Sequence, residues 1–238
     1  MSSPALQRPL HIDWGAAADS LSARGYALTG PLLAPQECTD LVSLYPDEAN
    51  FRSTVVMERY RFGKGDYKYF RYPLPAVIQR LRESTYPHLA KIANEWNAEF
   101  GLRTGTFPES HGEFLERCHH AGQRLPTPLM LHYEEGGYNC LHQDIYGEVA
   151  FPLQLVVMLG QSGRDWEGGE FVLVENVPRA QSRVEVITAD QGHGITFTTR
   201  HRPARGRRGH YRVAMRHGVS RVRGGTRYTL GIIYHDAE

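Results

Sequence analysis

The rhythm of hydrophobic positions changes part-way along the chain, near Pro126–Pro128. Before that point apolar residues recur at helical spacing: Leu89, Ile92, Ala93, Trp96 and Phe100 share one face of a stretch from Tyr86 to Phe100. Three more helices are expected. One runs from Asp13, a suitable N-cap, towards Arg24; one opens at Pro35-Gln36-Glu37 and continues through Leu44; one spans about Pro75 to Glu83. After Pro128 short apolar runs rich in β-branched residues take over. Leu129–Tyr133, Phe151–Leu159, Glu170–Glu175, Gly194–Thr199, Tyr211–Met215 and Tyr228–Tyr234 all read as strands. Glycine turns at Gly136-Gly137, Gly168-Gly169, Gly206, Gly209 and Gly224-Gly225 separate them. Many short strands in succession predict a sandwich or barrel. The expected architecture is α+β with a mainly β core. Residues 128–238 form a double-sheet jelly roll, and residues 1–127 form a helical and loop support region of the same domain, its helices packed on the outside.

Composition alters this picture little. The 238 residues are those of an ordinary globular domain, large enough to bury a core without covalent staples. The three cysteines, Cys38, Cys118 and Cys140, make no Cys-x-x-Cys pair and are odd in number, which argues against a disulfide scaffold or a zinc knuckle. No apolar run has the length or flanks of a signal peptide or a membrane span, so the expected setting is the cytoplasm, with no membrane partner. Charge is more informative in its distribution than in its total. The net value is +1, yet Thr198 to Arg227 holds ten arginines and no acid, leaving the remainder at −9. Either an anion is met near the C-terminal third or these arginines are solvated faces.

Chemistry concentrates after Leu131. His142 and Asp144 are two apart, so on an extended strand both point the same way and can reach one metal ion. Two histidines and one carboxylate on one face of an octahedral iron leave three positions open. Alone the pair says little: with 12 histidines in the chain, His-x-Asp arises by chance in roughly one such chain in two, and His11-Ile12-Asp13 is a second instance, at an expected helix cap. Downstream context separates the two. His217 follows Asp144 by 73 residues, room for several strands, and Arg227 follows His217 by ten. No other histidine has an arginine at that distance. An arginine there can pair bidentately with a carboxylate held beside the metal.

These pieces resemble the 2-oxoglutarate/Fe(II) oxygenase superfamily in its prolyl-hydroxylase-like branch. They are Tyr133 nine residues before His142, the His142-x-Asp144 pair, the Gly168-Gly169-Glu170 turn, His217-Gly218-Val219-Ser220 and Arg227. The phrases Phe51-Arg52-Ser53, Tyr67-Lys68-Tyr69-Phe70, Pro126-Thr127-Pro128-Leu129, Asn139 to Asp144 and Gly231 to Asp236 resemble a bacterial subfamily described as oxygenases acting on damaged DNA. The resemblance implies a double-stranded β-helix and an enzyme that couples oxidative decarboxylation of 2-oxoglutarate to hydroxylation or demethylation. Iron(II) would be ligated by His142, Asp144 and His217, with 2-oxoglutarate and dioxygen as co-substrates and ascorbate as an accessory reductant. Arg227 would hold the distal carboxylate of 2-oxoglutarate, with Thr229 and Tyr133 adding contacts; a core aromatic is the other reading of Tyr133. Gln154, on an otherwise apolar strand, needs partners if buried. His119 and His120 read as a loop, and His235-Asp236 has no assigned chemistry.

Two stretches bear on the substrate. Residues 52–72 interleave basic side chains with aromatics, a pattern suited to stacking on bases and holding phosphates; it fits equally aromatics packed beneath a loop. The Arg200–Arg212 run is expected just ahead of His217. Damaged or single-stranded DNA or RNA is therefore one substrate class. A protein side chain or a small metabolite is the alternative, and a non-catalytic jelly-roll binding module a third reading. The oligomeric state is not legible.

Overall fold

The computed structural model describes residues 10–102, 106–144, 147–177, 179–207 and 209–238. Four helices are α1 (Trp14–Arg24), α2 (Pro35–Ser43), α3 (Ala76–Glu99) and α4 (His111–His120). The strands in chain order are β1 (Tyr26–Pro31), β2 (Phe51–Val56), β3 (Gly63–Lys64), β4 (Asp66–Phe70), β5 (Leu129–Tyr133), β6 (Tyr138–His142), β7 (Leu153–Met158), β8 (Trp166–Gly168), β9 (Phe171–Asn176), β10 (Arg183–Ile187), β11 (His193–Thr198), β12 (His201–Gly206), β13 (Gly209–Val219), β14 (Val222–Gly225) and β15 (Arg227–Ile232).

Local chemistry explains the helix ends. The Asp13 carboxylate accepts from Ala16 N at 2.9 Å, and Gly25, in the left-handed region at φ 81°, closes α1. The two helices expected over Pro75–Glu83 and Tyr86–Phe100 are one. Pro87 removes a donor in mid-helix, yet Ile78, Leu81, Leu89, Ile92, Ala93 and Trp96 bury a continuous stripe across it. Packing of that stripe outweighs the proline's local cost.

Two antiparallel sheets face each other. The larger has the order β1-β11-β7-β15-β5-β4-β2, the smaller β10-β9-β13-β6-β3 with β12 paired to β13, and β8 and β14 form a short ribbon. This is the jelly roll expected for the C-terminal half, but the N-terminal half is not all helix and loop. β1 closes one edge of the large sheet on β11, and β4 and β2 extend its other edge beyond β5. β1 and β4 form through pairings with residues more than sixty positions away, and β2 adds to β4, none of which local periodicity reports. β8, β10, β12 and β14 likewise lie outside the expected set. His119 and His120 end α4 rather than occupying a loop.

Strand alternation assigns each face its task. Leu153, Leu155 and Val157 of β7, with Leu230 and Ile232 of β15, pack outwards against α3 in the main core. Val156 and Met158 turn the other way and join Phe171, Leu173, Phe197, Val213 and Met215 between the sheets. The C-terminus is clamped by a buried network. Arg82 of α3 donates to Asp236 Oδ1 at 2.8 Å and to the carbonyls of Ile233, Tyr234 and His235, while Tyr72 and His119 also reach the Asp236 carboxylate. His235-Asp236 thereby has a structural use. Among the described residues no helix is long and apolar enough to cross a membrane.

Candidate metal and co-substrate site

β13 runs through the centre of the smaller sheet and carries His217, paired with His142 on β6 and with Leu173 on β9. His142 is the last residue of β6, so Asp144 stands beyond the strand rather than on it. Its loop is fixed by the neighbouring Gln143, whose amide donates to Met215 O at 2.8 Å and Arg200 O at 3.1 Å. The Asp144 carboxylate then spans both histidines, 3.4 Å from His142 Nε2 and 3.3 Å from His217 Nε2. The three ligand atoms lie within 4.8 Å of one another, and this is the one such group among the described residues.

The electrostatics prepare these groups for a cation. Burial pushes the Asp144 carboxyl upwards, but the histidines' charges and hydrogen bonds outweigh it and hold it well below the usual carboxylate range. Burial, only partly opposed by Asp144, lowers His217. His142 is lowered by burial but raised on balance by its hydrogen bond to Asp144. Nδ1 of His142 is 2.8 Å from the Cys140 carbonyl, so the tautomer protonated at Nδ1 would donate to that oxygen and free Nε2 for a metal ion in place of its hydrogen bond to Asp144. An ionised carboxylate and neutral imidazoles are what a divalent ion requires.

The triad forms one wall of a cavity of about 370 Å³. Arg227, Thr229 and Gly231 of β15, all on its inward face, form part of the opposite wall. Arg227 is 1% exposed, and its Nε and Nη1 have no hydrogen-bond partner among the described residues. Its Nη2 donates to the Met158 sulfur, at 3.9 Å. Aromatic rings flank the guanidinium, Tyr133 at 5.5 Å and Trp166 at 5.9 Å. Burial lowers its pKa, while Tyr133 and the Glu170 carboxylate draw it back up. The Gly168-Gly169 turn makes this approach possible: Gly169 sits at φ 61°, and a Cβ there would come within 3.0 Å of the Arg227 side chain.

Tyr133 pairs with Arg227 across β5 and β15 but does not border the cavity. Its hydroxyl is buried without a hydrogen-bond partner among the described residues, and burial pushes the phenol up to about 12, against the opposing pull of Arg227 and Asn139. The fold thus brings His142, Asp144, His217, Arg227 and Thr229 to one cavity and sets Tyr133 behind Arg227. Periodicity could not place Gln154, Tyr67 and Tyr69 on the cavity wall, which they occupy. Of the interleaved stretch over 52–72, Arg52 lies over Tyr69 and donates to Pro126 O, and Lys68 is buried against Glu48; Arg61 and Phe62 reach the cavity mouth. In the arginine run, Arg202 is buried on Glu175 and Arg212 lies over Phe100.

Comparison with known proteins gives the family and the fold. Residues 65–237 match the family Oxygenase-NA, described as an oxygenase catalysing oxidative methylation of damaged DNA. Two uncharacterized proteins of Mycobacterium tuberculosis, from strains CDC 1551 and H37Rv, are each 49% identical over 168 residues, 71% of this chain and 72% of theirs. Among solved structures, a Trichoplax adhaerens prolyl hydroxylase in complex with a hypoxia inducible factor peptide fragment matches with a TM-score of 0.54 at 14% identity, over 94% of this chain and 89% of that one. An oxidoreductase of the 2OG-Fe(II) oxygenase family from Burkholderia pseudomallei matches with a TM-score of 0.51 at 17% identity, over 97% and 95%. A Pseudomonas putida prolyl-4-hydroxylase gives 0.51 at 13% identity, over 94% and 99%. At such identities these structures establish the fold, the jelly roll of 2-oxoglutarate/Fe(II) oxygenases. With the family match spanning most of its length, the chain belongs to the Oxygenase-NA family and is an oxygenase built on that fold.

Proposed function

We propose that this oxygenase holds Fe(II) through His142, Asp144 and His217, takes 2-oxoglutarate as co-substrate on Arg227, and oxidises an alkylated base of a nucleic acid. The observation that carries the reading is the pairing, in one cavity, of a three-ligand cluster with a buried guanidinium whose Nε and Nη1 lack a partner among the described residues. Leaving buried N–H groups unpaired is costly, and a carboxylate arriving against either edge of the guanidinium would satisfy one of them together with an Nη2 hydrogen. When bound, iron supplies the chemistry that couples conversion of 2-oxoglutarate and dioxygen to succinate and carbon dioxide with hydroxylation of a substrate C–H bond.

The chain's own residues bind and orient. Arg227 neutralises the far carboxylate of 2-oxoglutarate, and Thr229, two residues on along the same face, adds a hydroxyl. Tyr133, its ring 5.5 Å from the guanidinium, supports Arg227 from behind the cavity wall. Phe171, Phe197, Leu131, Val156 and Ile233 keep water from the remaining walls. At the mouth, Tyr60 and Phe62 stack on each other at 5.5 Å, and both are exposed, with Arg61 between them at φ 60°. Exposed aromatics beside a cation suit an unpaired base and its phosphate. The family's description, which names damaged DNA, supports the same substrate class. Hydroxylation of an N-methyl group yields an unstable carbinolamine that loses formaldehyde, so the net result there is demethylation.

Succinate formation with Fe(II), 2-oxoglutarate and ascorbate tests the enzyme. Single-stranded oligonucleotides with and without N-methylated bases test the substrate. Methylated strands should raise turnover and release formaldehyde. Absence of iron binding and of succinate would defeat the whole reading. Equal turnover on all strands, with hydroxylation of a peptide or metabolite instead, would defeat the nucleic-acid part.

A further inference from the structure

β7 reads Leu-Gln-Leu-Val-Val-Met, and all six side chains are buried. Leu153, Leu155 and Val157 enter the core beneath α3, while Gln154 shares the inward face with Val156 and Met158. Gln154 is 6% exposed and borders the cavity, and its Nε2 has no acceptor among the described residues. Packing alone would favour an apolar residue here, because a buried amide donor without a partner destabilises the free protein.

Position along the strand says which ligand that donor faces. Met158 touches Arg227 at 3.9 Å, and Gln154 lies four residues away, about 13 Å at the rise of a β-strand. The five-carbon chain of 2-oxoglutarate spans only about 5 Å. Across the strand pair Gln154 is opposite Phe197, whose ring packs on His217 at 4.7 Å. Gln154 therefore lies on the Phe197–His217 side of the lumen, away from the end at which Arg227 would anchor the co-substrate. Tyr67, Tyr69 and Ile233 border the same cavity.

We propose that Gln154 is a specificity-determining residue for the primary substrate: its amide N–H donates to a carbonyl or ring-nitrogen acceptor on the base presented to the metal. This rests on the nucleic-acid reading above. A site built around a buried donor accepts a base with an acceptor at that edge and rejects one that presents a donor, because two facing donors stay unsatisfied.

Two oligonucleotides differing at one base edge provide the probe: a single strand carrying N3-methylthymine, with a carbonyl at C4, and the same strand carrying N3-methylcytosine, with a nitrogen donor there. Affinities are measured on protein loaded with Mn(II) and 2-oxoglutarate, for the wild type, Gln154→Met and Gln154→Glu. The wild type should prefer the carbonyl base. Gln154→Met should weaken that binding by about tenfold. In the absence of oligonucleotide it should also raise the Tm by about 2–4 °C, since the unpaired donor is gone. Gln154→Glu should narrow or reverse the order of preference. Loss of Tm in Gln154→Met, or an order of preference unchanged in both variants, overturns the role of Gln154 while the nucleic-acid reading stands. A wild type that binds neither strand removes the nucleic-acid reading and this inference with it.

Discussion

Replacing Arg227 by methionine should separate stability from function. In the free protein the guanidinium is buried between Tyr133 and Trp166, and two of its nitrogens have no partner among the described residues. Removing a poorly compensated buried charge in favour of a side chain of similar length should stabilise the fold by about 1–3 kcal/mol, after allowing for the lost cation–π contacts. For a chain of this length each kcal/mol moves the Tm by about 2–4 °C, so the variant should melt several degrees higher. Co-substrate binding should change in the opposite direction. Loss of a bidentate, desolvated carboxylate pair costs about 3 kcal/mol, which is a rise of about 150-fold in the KM for 2-oxoglutarate. Thermal melts with Mn(II) in place of iron give both quantities. At a hundred times the wild-type Kd, 2-oxoglutarate should stabilise the wild type by about 2.7 kcal/mol and the methionine variant by only about 0.3 kcal/mol. An equal ligand-induced shift in both proteins, or an unchanged KM, would refute the assignment of Arg227.

Three other outcomes follow from the same geometry. Asp144→Ala removes the carboxylate that spans His142 and His217, and should abolish both metal binding by calorimetry and succinate formation. Asp236→Ala strands the buried Arg82 guanidinium and should cost about 3–5 kcal/mol in urea unfolding, whereas the double variant Arg82→Met/Asp236→Leu should recover much of it; equal losses would contradict a charge-based clamp. His111 is buried against the Tyr234 carbonyl; burial, then Arg82, holds its pKa at about 4, although Tyr234 and Asp236 pull it upwards. The unfolded state binds the extra proton first, so this contribution is complete above about pH 6.5 and disappears as pH falls towards 4. His111→Phe should flatten the stability profile in that window by about 3 kcal/mol.

How much of this was legible before the fold was known differs by element. Of the strands that line the cavity, β5, β7, β9, β11, β13 and β15 announce themselves through apolar runs bounded by turns. β1, β2 and β4 do not, because their apolar content is mixed and their stability comes from the sheet: β1 and β4 pair with distant strands, and β2 with β4. The proline in α3 read as a boundary because local rules price its missing donor but not the stripe buried on either side of it. Among site residues, the spacings linking His142, Asp144, His217 and Arg227 are visible in one dimension. Gln154 gave only the hint of an amide on an apolar strand, and nothing local linked Tyr67 and Tyr69 to it.

The sequence by itself therefore determined which residue types are available for metal and carboxylate chemistry, and how far apart along the chain they stand. Its family likeness determined the class of oxygenase. Only the tertiary structure decided that Asp144 leaves the strand to span two histidines, that Tyr133 sits behind Arg227 rather than on the cavity wall, and that Gln154 faces the lumen away from Arg227. The physical reason is that ligand geometry and burial are properties of strand pairing between remote segments. Register sets which side chains meet across the lumen, and no local pattern encodes register with a strand sixty residues away.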